Sequence, residues 1–167
     1  MKTDHQQRIE EFMRKVEGLA PGKQGIPELP TYPTEAVRLL RARLILEEAL
    51  ETVLALGFHV LTNDCGEHVF DLDLLEFLPV VDHSEPTDEE RLAMIADGCA
   101  DLSVVTIGTL SACGLPDTPI LEEVDRNNLA KFGPGHSVNV HGKLVKPPDH
   151  RPPDLLGVIL SIAEGGA

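Results

Sequence analysis

Apolar residues recur at three- and four-residue steps through most of the chain, the signature of amphipathic helix. Residues His5 to Gly18 carry Ile9, Phe12, Met13 and Val16 on one stripe, and Gly18 closes it. From Ala20 to Pro33 a loop is predicted, because Pro21, Pro27, Pro30, Pro33, Gly22 and Gly25 break any regular pattern. Thr34 then looks like the N-cap of a long helix ending at Gly57, with Val37, Leu40, Leu44, Ile45, Ala49, Val53 and Leu56 on a broad face. A second long helix opens at Thr87 or Asp88, where Thr87 and Glu90 make a capping-box pattern. It runs through Leu92, Ile95, Ala96, Leu102, Val105, Ile107 and Leu110 to Gly114, apolar nearly all round at its centre, so burial is expected. Thr118 and Pro119 open a shorter helix through Leu121, Val124 and Leu129 to Gly133.

Beyond it, Val138 to Lys146 alternates around His141-Gly142, a hairpin-like turn, and Pro147-Pro148 ends it. Pro152-Pro153-Asp154 introduces a last helix through Leu160. Residues 58–86 are the least readable: His68 to Leu72 alternates like a short strand, while Asp73 to Phe77 fits a turn of helix equally well. The expected class is all-α, a four-helix-bundle core with a small β-hairpin-like appendage near the C-terminus. The 167 residues are expected to form one domain, with a core over 34–133 and the C-terminal hairpin and helix over 137–164.

Composition narrows the function. Aromatic residues are only 4% and Trp is absent, so packing must rest on Leu, Val, Ile and Ala. With 14 basic against 28 acidic side chains, a net charge of −14, the surface would repel nucleic acid. Cys65, Cys99 and Cys113 are odd in number and form no CxxC pair, which argues against a disulfide framework or zinc site and for a reducing cytoplasm. Met1 to Glu17 is charged and lacks a signal core, and no apolar run approaches the roughly 20 residues that cross a bilayer. A soluble protein without a membrane partner is expected.

The informative residues are acidic. Glu47, Glu48 and Glu51 lie on one long helix, and Asp97 and Asp101 on the next. Spacings of three and four put each set on one helix face. Facing each other, the two helices would crowd these carboxylates, an arrangement that is unfavourable without a cation. Magnesium, with manganese as a substitute, takes oxygen ligands and is shared between carboxylates and substrate phosphates. One carboxylate not fully used as a ligand would orient or deprotonate water, the role given to Glu47 and Glu48. The bland alternative is a solvated acidic face; against it, Asp97 and Asp101 interrupt an otherwise apolar or small run from Met94 to Leu110. A di-iron site would want Glu-x-x-His pairs, which neither helix has. The P-loop frame GxxxxGK[ST] and the Rossmann GxGxxG are both absent.

Glu48-Ala49-Leu50-Glu51 followed by Asp97-Gly98-Cys99-Ala100-Asp101 resembles the paired ExxE and ExxD motifs of the MazG-like pyrophosphohydrolases, a group that includes dimeric dUTPases and phosphoribosyl-ATP pyrophosphohydrolase. The first motif is intact with an extra Glu47; in the second, Gly98 stands where the Glu would, and the acid is Asp97. The likeness continues through the VTIGT-like run to Thr109, through Glu123 to Lys131, and through Gly142-Lys143 and Lys146-Pro147-Pro148. It implies hydrolysis of a nucleoside triphosphate to monophosphate and pyrophosphate in nucleotide-pool cleansing, with dUTP the favoured substrate. It also implies a helical core that pairs into a homodimer or a dimer of dimers.

With that resemblance, Asp125, Asn128 and Lys131, at i, i+3 and i+6, become substrate-binding candidates: Asn128 through hydrogen bonds, Lys131 as a phosphate charge, Asp125 on a sugar hydroxyl or on Lys131. Lys143 and Lys146 are expected as a clamp for the β and γ phosphates. Ordinary surface residues are the alternative for all five. Arg38, Arg41 and Arg43 are explained by intrahelical ion pairs, Arg43 standing at i−4 from Glu47, and the seven histidines, without ligand spacing, receive no role. Two other functions compete: a nucleotide- or metal-binding regulatory module that does not hydrolyse, and an acidic helical surface that docks a basic partner.

Overall fold

The computed structural model describes residues 1–19, 21–22, 24–62, 75–79, 86–132, 137–138, 144–146 and 149–165. Among these residues the chain forms α1 (Asp4–Leu19), α2 (Glu35–Ala55), β1 (Phe58–Thr62), β2 (Leu75–Pro79), α3 (Asp88–Ala112), α4 (Asp117–Leu129), β3 (Ser137–Val138), β4 (Leu144–Val145) and α5 (Leu155–Ala163). The all-α class with a small β appendage is what the structure has.

Two compact units divide the chain, one made of residues 1–34 and 107–167, the other of residues 35–106. In the first, α1 buries Ile9 and Met13 as its stripe requires, and Gln6 and Glu10 are buried with them. These polar groups are satisfied. Gln6 donates to Ser111 Oγ at 3.0 Å and to the Leu115 carbonyl at 2.8 Å, and accepts from the Asp117 N–H at 2.7 Å. Glu10 is paired with Lys2 at 2.6 Å and Arg14 at 3.1 Å. Asp117, fully buried, accepts from the Thr3 N–H (2.9 Å), the Thr3 hydroxyl and the Thr118 N–H (2.8 Å). The sequence pattern puts the start of α4 at Thr118; it begins one residue earlier because the Asp117 carboxylate occupies the first turn, where an anion is favoured.

Asp117→Ala is expected to cost about 3 kcal/mol, because it strands Thr3 donors as well as removing charge-assisted bonds. Urea unfolding followed by far-UV circular dichroism measures this. A loss within experimental error of zero would mean that the network contributes nothing.

The proline- and glycine-rich segment after α1 runs as the expected loop. Its Thr31 N–H donates to the Cys113 carbonyl at 2.9 Å. Gly114, at φ 71°, lies so close to the Leu29 carbonyl that any Cβ there would collide with backbone. That close approach ends α3 and holds the loop together.

In the unit spanning 35–106, α2 stops ahead of Gly57 (φ 89°), and β1 follows at once. Phe58 to Thr62 pairs antiparallel with Leu75 to Pro79, in the register Phe58↔Pro79, His59↔Leu78, Val60↔Phe77. A helical turn over Asp73 to Phe77 is thereby corrected from Leu75 onward. A short apolar run carries no period of its own, and here cross-strand pairing decides it. The strand suggested at His68 to Leu72 lies outside the described residues. The capping box of α3 forms as expected, with the Thr87 N–H donating to Glu90 at 2.8 Å and the Glu90 N–H to the Thr87 hydroxyl at 3.2 Å.

Burial of α3 is corrected in part. Val105, Ile107 and Ala112 are buried, yet Leu92 and Met94 are 64% and 51% exposed. An all-round apolar helix shows that contacts are wanted, not that one copy of the chain supplies them. By length and composition α3 would also suffice to cross a membrane, against the expectation that no run would, although it carries Asp97 and Asp101. The paired β3 and β4 bear out the C-terminal hairpin expectation, with Ser137↔Val145 and Val138↔Leu144 in register. Asp154 caps α5 by accepting from the Gly157 N–H at 3.0 Å.

Candidate active site

Glu47, Glu48 and Glu51 sit on α2, and Asp97 and Asp101 on α3, all within the 35–106 unit. These faces are joined where Thr52 meets Gly98. A Cβ built on Gly98 would lie 2.9 Å from Thr52 Oγ1 and 3.0 Å from Thr52 Cα, so the two helices touch through backbone. Thr52 is buried, and its hydroxyl donates to the Glu48 carbonyl at 2.6 Å, leaving no unmet donor at the crossing. Glu48 is one turn before Thr52, Asp97 adjoins Gly98, and Asp101 is one turn beyond it. The small pair Thr52–Gly98 thus brings the acidic residues of the two helices to one place.

Electrostatics record that proximity. The Glu48 carboxyl is held above its ordinary value, first by desolvation, then by the negative charges of Asp101, Glu51, Glu47 and Asp97. Every member of the predicted set therefore acts on Glu48, and the strongest of these charges comes from the opposite helix. Glu48 is half-buried, while Glu47, Glu51, Asp97 and Asp101 are exposed. The reasoning that α3 leaves no room for a solvated face is corrected by that exposure; the clustering stands on the charge coupling instead. Among the described residues, no three His, Cys, Asp or Glu side chains converge as a ready-made metal cage. Carboxylates without a counter-ion repel one another, and magnesium keeps several waters and takes only one or two direct carboxylates, so the donor set still suits a hard cation.

Gly98 explains the departure of the second motif. A Cβ at that position would press on Thr52, and the acid stands one residue earlier, at Asp97. The sequence carries a signal for this, since a glycine inside a helix costs about 0.5–1 kcal/mol relative to alanine and calls for a packing reason. Thr52 is a site residue that the sequence reading missed altogether. The expected pairing of Arg43 with Glu47 is not among the ion pairs of the described residues, and Arg41 is buried.

The other candidates belong to the unit of residues 1–34 and 107–167. On α4, Asp125 and Asn128 are exposed, and Lys131 follows in the turn after the helix. Lys131 donates to Asn128 Oδ1 at 2.5 Å, so of the two roles open to Asp125 the structure gives the hold on Lys131 to Asn128. Lys146 is exposed beside β4, and Lys143 lies outside the described residues. Next to these residues, Asn127 is buried and donates to the Arg151 carbonyl at 2.8 Å.

Glu123 joins α4 to α5. It accepts from Arg126 at 2.7 and 2.8 Å and from the Asp154 N–H at 2.7 Å. The Arg126 bond first, then the Asp154 N–H, hold its carboxyl below the ordinary 4.5. A depressed carboxylate stabilises the fold above its unfolded value, and that contribution disappears as pH falls through the lowered one. Stability should therefore drop below about pH 4.5, and Glu123→Gln should flatten that part of the profile. Thermal melts across this range check it; an unchanged acid limb in the variant would refute the link.

A family model described as phosphoribosyl-ATP pyrophosphohydrolase matches residues 12–128, which include both acidic motifs and the Thr52–Gly98 crossing. The chain belongs to this family. It is accordingly a MazG-related, all-α pyrophosphohydrolase acting on nucleotide substrates. No curated protein matches the chain.

Proposed function

We propose that this pyrophosphohydrolase cleaves the bond between the α and β phosphates of a deoxynucleoside triphosphate, dUTP before others, releasing the monophosphate and pyrophosphate. The observation that carries the reading is the Thr52–Gly98 crossing, which brings the acids of α2 and α3 together so that Asp101, Glu51, Glu47 and Asp97 all act on the Glu48 carboxyl. Such a cluster is relieved by a divalent cation, and Glu47, Glu48, Glu51, Asp97 and Asp101 would hold Mg2+ or Mn2+ there. When bound, the metal neutralises phosphate charge and lowers the pKa of attacking water. Glu48 orients that water and takes its proton, with Glu47 beside it as a second acceptor. Asn128, Lys131 and Lys146, with Asp125 and Lys143, are the groups assigned to sugar and phosphates.

Exposed Leu39 and Leu46 on α2, with Leu92 and Met94 on α3, are apolar surface that a second copy would cover, so the working form is a homodimer or a dimer of dimers. A cytoplasmic setting suits Cys99 and Cys113, which form no disulfide among the described residues.

Incubating the protein with a panel of nucleoside tri- and diphosphates and magnesium or manganese, with products separated by chromatography, tests the reading. The expected products from dUTP are dUMP and pyrophosphate. Release of orthophosphate and a diphosphate would overturn the cleavage position. The family match itself favours a second reading, phosphoribosyl-ATP as substrate, so that compound belongs in the panel. Saturable nucleotide binding with no product after long incubation would instead select the non-hydrolytic module.

A further inference from the structure

A second feature of the 35–106 unit adjoins the acidic cluster. Between α2 and β1 lies a cleft of about 260 Å3, lined by Leu50, Glu51, Leu54, Phe58, His59 and Val60. Building on the hydrolase reading of the cluster, we infer that this cleft receives the nucleobase of the substrate, stacked on Phe58 with His59 at its polar edge.

Glu51 links the two places. Its charge acts on Glu48 within the acidic cluster, and its side chain also forms a wall of the cleft. Phosphates drawn to the cluster with their cation therefore lie next to an apolar recess. The chemistry of the recess discriminates between the ends of a nucleotide. Leu50, Leu54 and Val60 offer apolar surface, Phe58 a π face, and His59 a ring that both donates and accepts hydrogen bonds. No lysine or arginine lines the cleft among the described residues, and Glu51 would repel a phosphate. A planar heterocycle with a polar rim suits every one of these groups. The volume agrees: pockets for drug-sized ligands span roughly 300–1,000 Å3, so this cleft suits a base and not a whole nucleotide.

The wall depends on the hairpin. Phe58 and Val60 are held by pairing with Pro79 and Phe77, and β1 supplies half of the lining. It is a specificity element, and His59 gains the role that ligand spacing could not give it.

The chain contains no tryptophan, so Phe58→Trp places a unique reporter at the cleft. Its emission is titrated with dUMP, with a non-hydrolysable dUTP analogue and with inorganic tripolyphosphate, each with magnesium. Both nucleotides should change the emission saturably, and tripolyphosphate should not. In steady-state assays, Phe58→Ala should raise KM about ten-fold, as expected for one lost aromatic–base stack, with the loss falling on KM and not on kcat. Phe58→Leu, which keeps apolar bulk without the ring, should show the same direction even if the alanine variant folds poorly. An equal response to tripolyphosphate would overturn the inference. So would an unchanged KM in Phe58→Leu and His59→Ala while hydrolysis continues, and the hydrolase reading would survive that result. Emission that depends on protein concentration and ignores nucleotide would show a second copy filling the cleft, which also overturns it. Saturable nucleotide quenching without hydrolysis would keep the base site and remove the hydrolase reading.

Discussion

Glu48→Gln is expected to lower magnesium-dependent pyrophosphate release by on the order of a thousand-fold, within the range that a positioned general base contributes. The same substitution should leave the helical circular dichroism signal nearly unchanged. Glu48 is the carboxyl on which desolvation and the charges of Asp101, Glu51, Glu47 and Asp97 converge. A glutamine of nearly the same shape removes one of the mutually repelling charges, so the metal-free protein should be no less stable than the parent. The parent should gain thermal stability with magnesium and a non-hydrolysable nucleotide. At a ligand concentration about one hundred times Kd the gain is about 2.7 kcal/mol, or roughly 5–10 °C for a chain of this size. In the glutamine variant most of that rise should vanish. The two readouts separate explanations: lost turnover with an intact magnesium-induced shift would make Glu48 a base and not a ligand. Normal turnover would remove Glu48 from the site.

Much of the fold is legible in the sequence because its signals are local. The capping box at Thr87 and Glu90 and the stops at Gly57 and Gly114 each depend on residues a few positions apart, and α2 and α3 end where those signals put them. The two sets of acids are legible for the same reason, since helical spacing alone puts each set on a face. What cannot be read depends on partners far away in the chain. Gln6 meets the N–H of Asp117 across 111 positions, and nothing near either residue announces it. The exposure of Leu92 and Met94 escapes the pattern because apolarity states a need for burial without naming the surface that meets it. Strand β2 is ambiguous until its pairing with β1 is seen, because five residues cannot distinguish two periods. The site lies between these cases. Its acids are visible, but what unites them, Thr52 against Gly98, is one apparently neutral residue facing another from a different helix.

That crossing yields the second large expectation, which runs against the family pattern. Gly98→Glu restores the acid that the ExxD motif has at this position, yet it should reduce activity and stability together. The new Cβ would stand 2.9 Å from Thr52 Oγ1 and 3.0 Å from Thr52 Cα. A hydroxyl can rotate away, but a backbone carbon moves only with its helix. The gain of a ligand is therefore offset by separation of α2 from α3, which draws Glu48 away from Asp101. Forcing bulk into such a packed crossing costs about 1–3 kcal/mol, or roughly 2–12 °C in Tm. Gly98→Ala should act in the same direction through the Cβ alone, despite alanine's better helix propensity. Thr52→Ala combined with Gly98→Ala should recover only part of the loss, because it removes the crowding hydroxyl and leaves the backbone of residue 52 equally close. Melting curves and pyrophosphate release for the three variants provide the comparison. Higher turnover in Gly98→Glu would show that the helices can accept the side chain, and Asp97 would lose its standing as the acid that replaces it.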